Sequence, residues 1–363
     1  MPPALTLREM LARLRDEGRL GEPDIERIGA YMAAQDRTAA DPLYIRLLAG
    51  GGAWLSALFL LLAFGMAGLF EHPGTMLLCG ALMLTSAAGW SRLRSSTFID
   101  QLTLALVLAG HSLTLAGSVR ALDPSFSALG VLALLHPLLG AAVYPLYAGS
   151  IYRFLTPVVA AGLGIAWIMD TGAHRLIHAL VAVEMVSAGV LWLRARRPAA
   201  LTPLRYAALL ALPATLLVMT VALTDPMDSG FHEPLWPSSL LLTGGLVYLY
   251  GWLGGEWAKH PGDASPLQEG LEGGRRALAA SWMGWIAAGT LLLGLFTTPG
   301  ILVAIGLLVI GYAFDDREVT ALAYLFLICF LVLFYYALNI DLAHKAWVIA
   351  GSGALLLALR QLA

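Results

Sequence analysis

The sequence predicts an all-α fold, a polytopic transmembrane helical bundle of about twelve spans with both termini on the cytoplasmic side. Three observations carry this. Hydrophobic residues make up 59% of 363 positions, charged residues only 13%, and mean hydropathy is +0.76. A soluble domain of this size could not hide so much apolar surface, whereas a bilayer acts as its solvent. The apolar residues also fall into stretches near the roughly 20 residues that a bilayer crossing needs. Finally, the connections between stretches are alternately basic and nearly free of positive charge. Starting from the N-terminal segment, every second connection together holds 19 of the 22 Lys and Arg, and the others hold three. Short loops rich in Lys and Arg stay cytoplasmic, so the alternation sets orientation and parity.

Residues 1–46 read as a cytoplasmic helical hairpin. Leu7, Met10, Leu11 and Leu14 recur at helical spacing, and Gly18 and Gly21 end that helix. A second helix is expected from Pro23 to about Gln35, with Ile25, Ile28, Tyr31 and Met32 on one side. The hairpin is either an interfacial anchor on the inner leaflet or a docking site for a partner. No apolar segment precedes the first acidic residue, so a cleaved signal peptide is not expected.

The bundle occupies 47–363. Its spans are expected near 48–70, 75–91, 99–119, 126–147, 152–170, 174–194, 203–224, 236–254, 277–296, 299–314, 319–337 and 344–361. Trp90, Trp192, Trp236, Trp252 and Trp257 fall at span ends, as an aromatic belt requires. The longest connections are an outer loop, Asp225–Glu233, and an inner one, Glu256–Arg276, whose Pro and Gly make it a linker. Cys79 and Cys329 lie within apolar stretches and are expected as free thiols. Twenty Arg against two Lys suggest a GC-rich bacterial genome.

An internal repeat is visible. Leu69-Phe70-Glu71-His72-Pro73-Gly74 recurs 226 residues later as Leu295-Phe296-Thr297-Thr298-Pro299-Gly300, with Ala53-Trp54 and Gly284-Trp285 upstream. A weaker echo links Ser187-Ala188-Gly189 and Trp192 with Ser86-Ala87-Ala88-Gly89-Trp90. These suggest three parallel four-span units, 47–147, 152–254 and 277–361. The opposing reading is that Pro-Gly turns and Arg-flanked ends recur in any membrane protein.

Glu184 is the one carboxylate placed deep within a span, and an ionised carboxylate there costs about 2.5–3.5 kcal/mol on insertion scales. It must be protonated, paired or facing a wet cavity. His111 and His136 fall at similar depth by counting, so the three could form a midplane proton relay or polar ligand site. Equally, each could satisfy its hydrogen bonds against a neighbouring helix and only lock packing. His174 and His178, four apart at a helix start, share one face near the outer surface. A two-His pair is short of a zinc site, and a solvated polar rim is the simpler reading. Asp100, Gln101 and Arg153 sit where side chains snorkel to water, and Asp315-Asp316-Arg317-Glu318 reads as a solvated turn. Small residues in span 5 (Ala160, Ala161, Gly162, Gly164) and span 12 (Ala350, Gly351, Gly353, Ala354) permit close helix contact.

No phosphate-binding loop, Gly-x-Ser-x-Gly, His-Glu-x-x-His or Cys-x-x-Cys motif is present, so no cofactor or metal is called for. A net charge of −2, with arginine spent on topology, excludes nucleic acid as a partner. The lipid bilayer is the expected partner, with other multi-pass or single-span membrane proteins beside it. Two functional classes stand: a transporter or transport-complex subunit, and a non-catalytic scaffold or sensor assembling with envelope partners. An enzyme has least support, since no nucleophile–base arrangement is visible.

The C-terminal run Phe334-Tyr335-Tyr336-Ala337-Leu338-Asn339-Ile340-Asp341-Leu342-Ala343-His344-Lys345, followed by Gly351 and Arg360, resembles an uncharacterised bacterial membrane family, domain of unknown function 4401. Pro42-Leu43-Tyr44-Ile45-Arg46 entering Gly52-Ala53-Trp54 agrees. The family pattern has Thr where this chain has Asp341 and Ser where it has Ala346, so a role of those hydroxyls does not carry over. The resemblance implies a multi-pass inner-membrane protein, often encoded beside another multi-pass protein and a single-span partner of the GDYxxLxY type. It implies no reaction.

Overall fold

A computed structural model describes residues 43–93, 96–123, 125–193, 198–224, 234–259 and 297–337, with Gly21 and four positions between 289 and 294. Most of the expected hairpin 1–46, the connection Asp225–Glu233, most of the connection Glu256–Arg276 and of the 277–296 stretch, and the C-terminal run after Ala337 with the last stretch lie outside the described residues, while Leu43 to Arg46 already belong to the first described helix. Ten α-helices and one 3-10 turn are described, without strands among the described residues. They coincide with the ten apolar stretches that fall there. Five segments (Pro73–Arg92, Thr97–Ala121, Ser150–Thr171, Ala199–Leu223 and Arg317–Tyr335) are long and apolar enough to cross a membrane by length and composition. The chain divides into two compact units.

The first unit holds α1 (Leu43–Met66), α2 (Pro73–Leu93) and α3 (Thr97–Ala121), with the segment Pro145–Gly149. Helix α3 packs against both others. Five successive residues, Thr103 to Val107, are buried, which is the pattern of a helix enclosed on several faces. Gly80 of α2 meets Gly110 of α3 so closely that a Cβ on either would sit under 3 Å from the other's carbonyl oxygen. Gly117, seven residues on and hence on the same face, packs on Met76 and Leu77. The small residues of span 5, read as permitting close helix contact, are not used that way at its glycines: Gly162 faces open space and Gly164 makes only ordinary contact with Leu180. Helix α1 ends where Gly68 takes a left-handed φ of 71°, while Leu69 N–H reaches Phe64 O. Pro73 then opens α2, as Pro299 opens α9 (Pro299–Ala313), because proline's fixed φ suits a first turn. The glycines that follow differ: Gly74 touches nothing, and Gly300 lies against the Phe330 ring.

The second unit holds α4 (Ala128–Val143), α5 (Ser150–Thr171), α6 (Leu176–Trp192), the 3-10 turn Ala199–Leu201, α7 (Thr202–Thr224), α8 (Trp236–Lys259), α9 and α10 (Arg317–Ala337). Helix α7 is its centre, packed against α5, α6, α9 and α10. Helix α6 runs antiparallel to α7, since Glu184 pairs with Thr215 while Trp192, farther along, pairs with Arg205. It runs parallel to α8 in a register of 60 residues, seen at His178–Ser238 and again at Met185–Gly245. The α9–α10 hairpin closes on Gly311 against Thr320 and Gly300 against Phe330.

Side chains support a bilayer surround. Leu55, Phe59, Leu62 and Met66 on α1, Val183, Val186 and Val190 on α6, and Leu325, Ile328 and Val332 on α10 are turned outward at helical spacing. Water would penalise that surface at about 25 cal/mol per Å², and hydrocarbon would not. Many helix hydroxyls bond back to a carbonyl one turn earlier, among them Thr85, Thr114, Ser118, Thr156 and Thr220. That satisfies a polar group without water. Trp90 and Trp236 are exposed, but Trp192 is fully buried. It donates to Arg205 O and stacks edge-on with Tyr206, so it is a core residue, not part of a belt.

Candidate functional site

Along α6 the residues Ile177, Val181, Glu184, Ala188 and Trp192 are buried, a stripe at spacings of three and four that faces the centre of the unit. Glu184 is the only carboxylate in the stripe. It lies midway along the helix, 7% exposed. The hydroxyl of Thr215, itself wholly buried on α7, donates to Glu184 Oε1 at 2.8 Å. Glu184 Oε2 is buried and has no hydrogen-bond partner among the described residues.

This geometry decides what the site can do. An ionised carboxylate here rests on one hydroxyl bond, although each buried oxygen can accept two. A protonated carboxyl would place an O–H where the described residues offer no acceptor. Either form leaves polar capacity unspent in a place where unspent polarity costs about 1–3 kcal/mol.

The other predicted residues fall as follows. His136 is buried on α4, and its Nε2–H donates to Thr156 O on α5 at 3.0 Å, a carbonyl being able only to accept. His111 is buried on α3 of the first unit, whereas Glu184 and His136 belong to the second. His174 lies in the turn before α6. His178, one turn later, bonds Ser238 Oγ on α8 through Nδ1 at 2.8 Å. Both are half-buried, so these histidines face protein as well as solvent. Among the described residues no group of three or more His, Cys, Asp or Glu gathers as metal ligands. Cys79 and Cys329 are free thiols.

Sequence reading missed the polar partners. Thr215 and Ser238 are ordinary in composition, and hydroxyls in apolar helices usually bond their own backbone. Asp316 was expected in a solvated turn. Instead its Oδ1 accepts from Glu318 N and Val319 N at the start of α10, and its Oδ2 accepts the Tyr206 hydroxyl of α7 at 2.6 Å. Asp–x–x at a helix start was the available signal. Arg153 was expected to snorkel to water, and it donates to Tyr144 O and lies over the Tyr144 ring.

A helical bundle with five helices apolar and long enough to cross a membrane, and a carboxylate buried in its second unit, suggests a membrane protein. The chain belongs to the family described as Domain of unknown function (DUF4401), whose pattern matches residues 42–363. No curated protein and no solved structure matches it.

Proposed function

We propose that this chain is a transporter or transport-complex subunit of a bacterial inner membrane, with Glu184 as the group that takes up and releases a proton or small cation. On this reading residues 1–46 form a cytoplasmic hairpin, 47–363 form the bundle, and both termini face the cytoplasm. The observation that supports it is the environment of Glu184. One oxygen is held by Thr215 and the other is buried without a partner among the described residues. Intramembrane carboxylates are costly, and where they occur they mark ion and proton pathways.

The full chain, reconstituted into vesicles with a trapped pH-sensitive dye, is expected to pass protons under an imposed potential. Glu184→Gln should abolish that flux while keeping the wild-type melting temperature. Wild-type flux from Glu184→Gln would sink the assignment. No flux above empty vesicles from the wild type would leave the scaffold or sensor reading in its place.

A further inference from the structure

Glu184 stands on α6, which packs against α5, α7 and α8. The charged and titratable side chains described on these helices are engaged elsewhere. On α7, Arg205 lies over the Trp192 ring and Tyr206 donates to Asp316. On α8, Tyr250 pairs with Thr290, and Tyr248 is turned outward. On α5, Arg153 donates to Tyr144 O, Tyr152 pairs with Thr156, and Asp170 is exposed. On α6 itself, His178 bonds Ser238. An ionised Glu184 therefore carries a charge that no described side chain balances, and the ion it takes up has to balance it.

The oxygens around it discriminate between ions. An alkali ion gives up its hydration shell only for a shell of protein oxygens. The described site offers the two carboxylate oxygens and the Thr215 hydroxyl. Pro213 releases the Leu209 carbonyl on α7, which adds one oxygen more at best. The unit's other buried hydroxyls are placed away from it. Thr220 donates to Leu216 O, Ser238 meets His178, and Thr290 pairs with Tyr250. Thr243, with Ser239 one turn earlier on the same face, lies against Gly294. A proton needs a single lone pair, and Oε2 supplies it: that oxygen is buried without a hydrogen-bond partner among the described residues, while Oε1 holds the Thr215 hydroxyl. A proton also reaches a buried oxygen by hydrogen-bond exchange, whereas a hydrated alkali ion would need the helices to part.

We infer, resting on the role proposed for Glu184, that the ion exchanged there is the proton, one per chain, bound at Oε2, and that sodium and potassium do not compete for the site.

The test follows the carbonyl stretch of protonated carboxyls by infrared difference spectroscopy, with the full chain in nanodiscs titrated by pH. The wild type should show a band that Glu184→Gln removes. Its midpoint should stay fixed when sodium or potassium replaces choline at constant ionic strength, since a competing ion would move it by about one pH unit for each tenfold rise in concentration. Thr215→Val keeps the carboxyl and removes its donor, so it should move the midpoint and assign the band even where Glu184→Gln does not fold. A midpoint that follows sodium or potassium overturns the inference and leaves Glu184 as an ion site. A titrating band that neither variant alters, or none at all, overturns it as well. A Glu184 band that titrates as expected in a chain passing no protons into vesicles would instead remove the transport reading and leave the proton site standing.

Discussion

The Thr215 hydroxyl donates to Glu184 Oε1 at 2.8 Å, and both residues are buried where α6 crosses α7. The bond is asymmetric in its consequences. Thr215→Val leaves the carboxyl with no hydrogen bond among the described residues and should destabilise the protein by about 1–3 kcal/mol. Glu184→Leu combined with Thr215→Val removes both polar groups together and should recover most of that loss. Thermal melts of the four combinations in one detergent check this. A double variant as unstable as Thr215→Val would show that the pair is held by something other than polarity.

The contact between Gly80 and Gly110 leaves no room for a side chain. Gly110→Leu should force α2 and α3 apart, at a cost of about 1–3 kcal/mol or more. Gly162→Leu, facing open space on α5, should be near neutral. Melting temperatures of the two variants should therefore separate clearly, and equal values would contradict the described packing.

The α9–α10 turn carries Asp315 at a left-handed φ of 50°, while Asp316 N–H bonds Gly311 O. Left-handed backbone costs most side chains about 1–2 kcal/mol. Asp315→Val should lower stability by that amount and Asp315→Gly should not. Asp316→Ala removes a helix cap and the Tyr206 bond together, so its loss should exceed the roughly 1 kcal/mol typical of a cap. Denaturation of these three variants provides the check.

The charge alternation carries a topological prediction. In a background where Cys79 and Cys329 are replaced by alanine, single cysteines at positions 228 and 263 should label from opposite sides of the membrane. Labelling from one side would invalidate the assigned parity.

Helix positions were legible because apolar runs, Pro-Gly starts and charged ends are local signals. Pro299 opens a helix where the expected stretch 299–314 begins, and α2 starts at Pro73, two residues before the expected 75. The depth of Glu184 was legible too, since a carboxylate among Val and Ala must be accommodated somewhere. Its partner was not. Thr215 is separated from it by 31 residues and looks like any hydroxyl in an apolar helix. The glycine contact was misplaced for a related reason. Density of small residues marks span 5, but which glycine meets a neighbour depends on helix rotation, and Gly110 with Gly117 has that rotation. The burial of Trp192 was hidden because an aromatic at a helix end serves a belt or a core equally well.

Asp316 ties three helices at one point: it follows α9, caps α10 and holds Tyr206 of α7. Tyr206 and Thr215 lie on the same helix, about 14 Å apart by helical rise. The α9–α10 turn therefore acts as an axial stop for α7. A slip of one residue at that stop would carry the Thr215 hydroxyl about 1.5 Å along α6 and turn it through about 100°, out of reach of Glu184. The meeting of the Thr215 hydroxyl with the carboxyl therefore depends on a contact about two and a half turns away along α7.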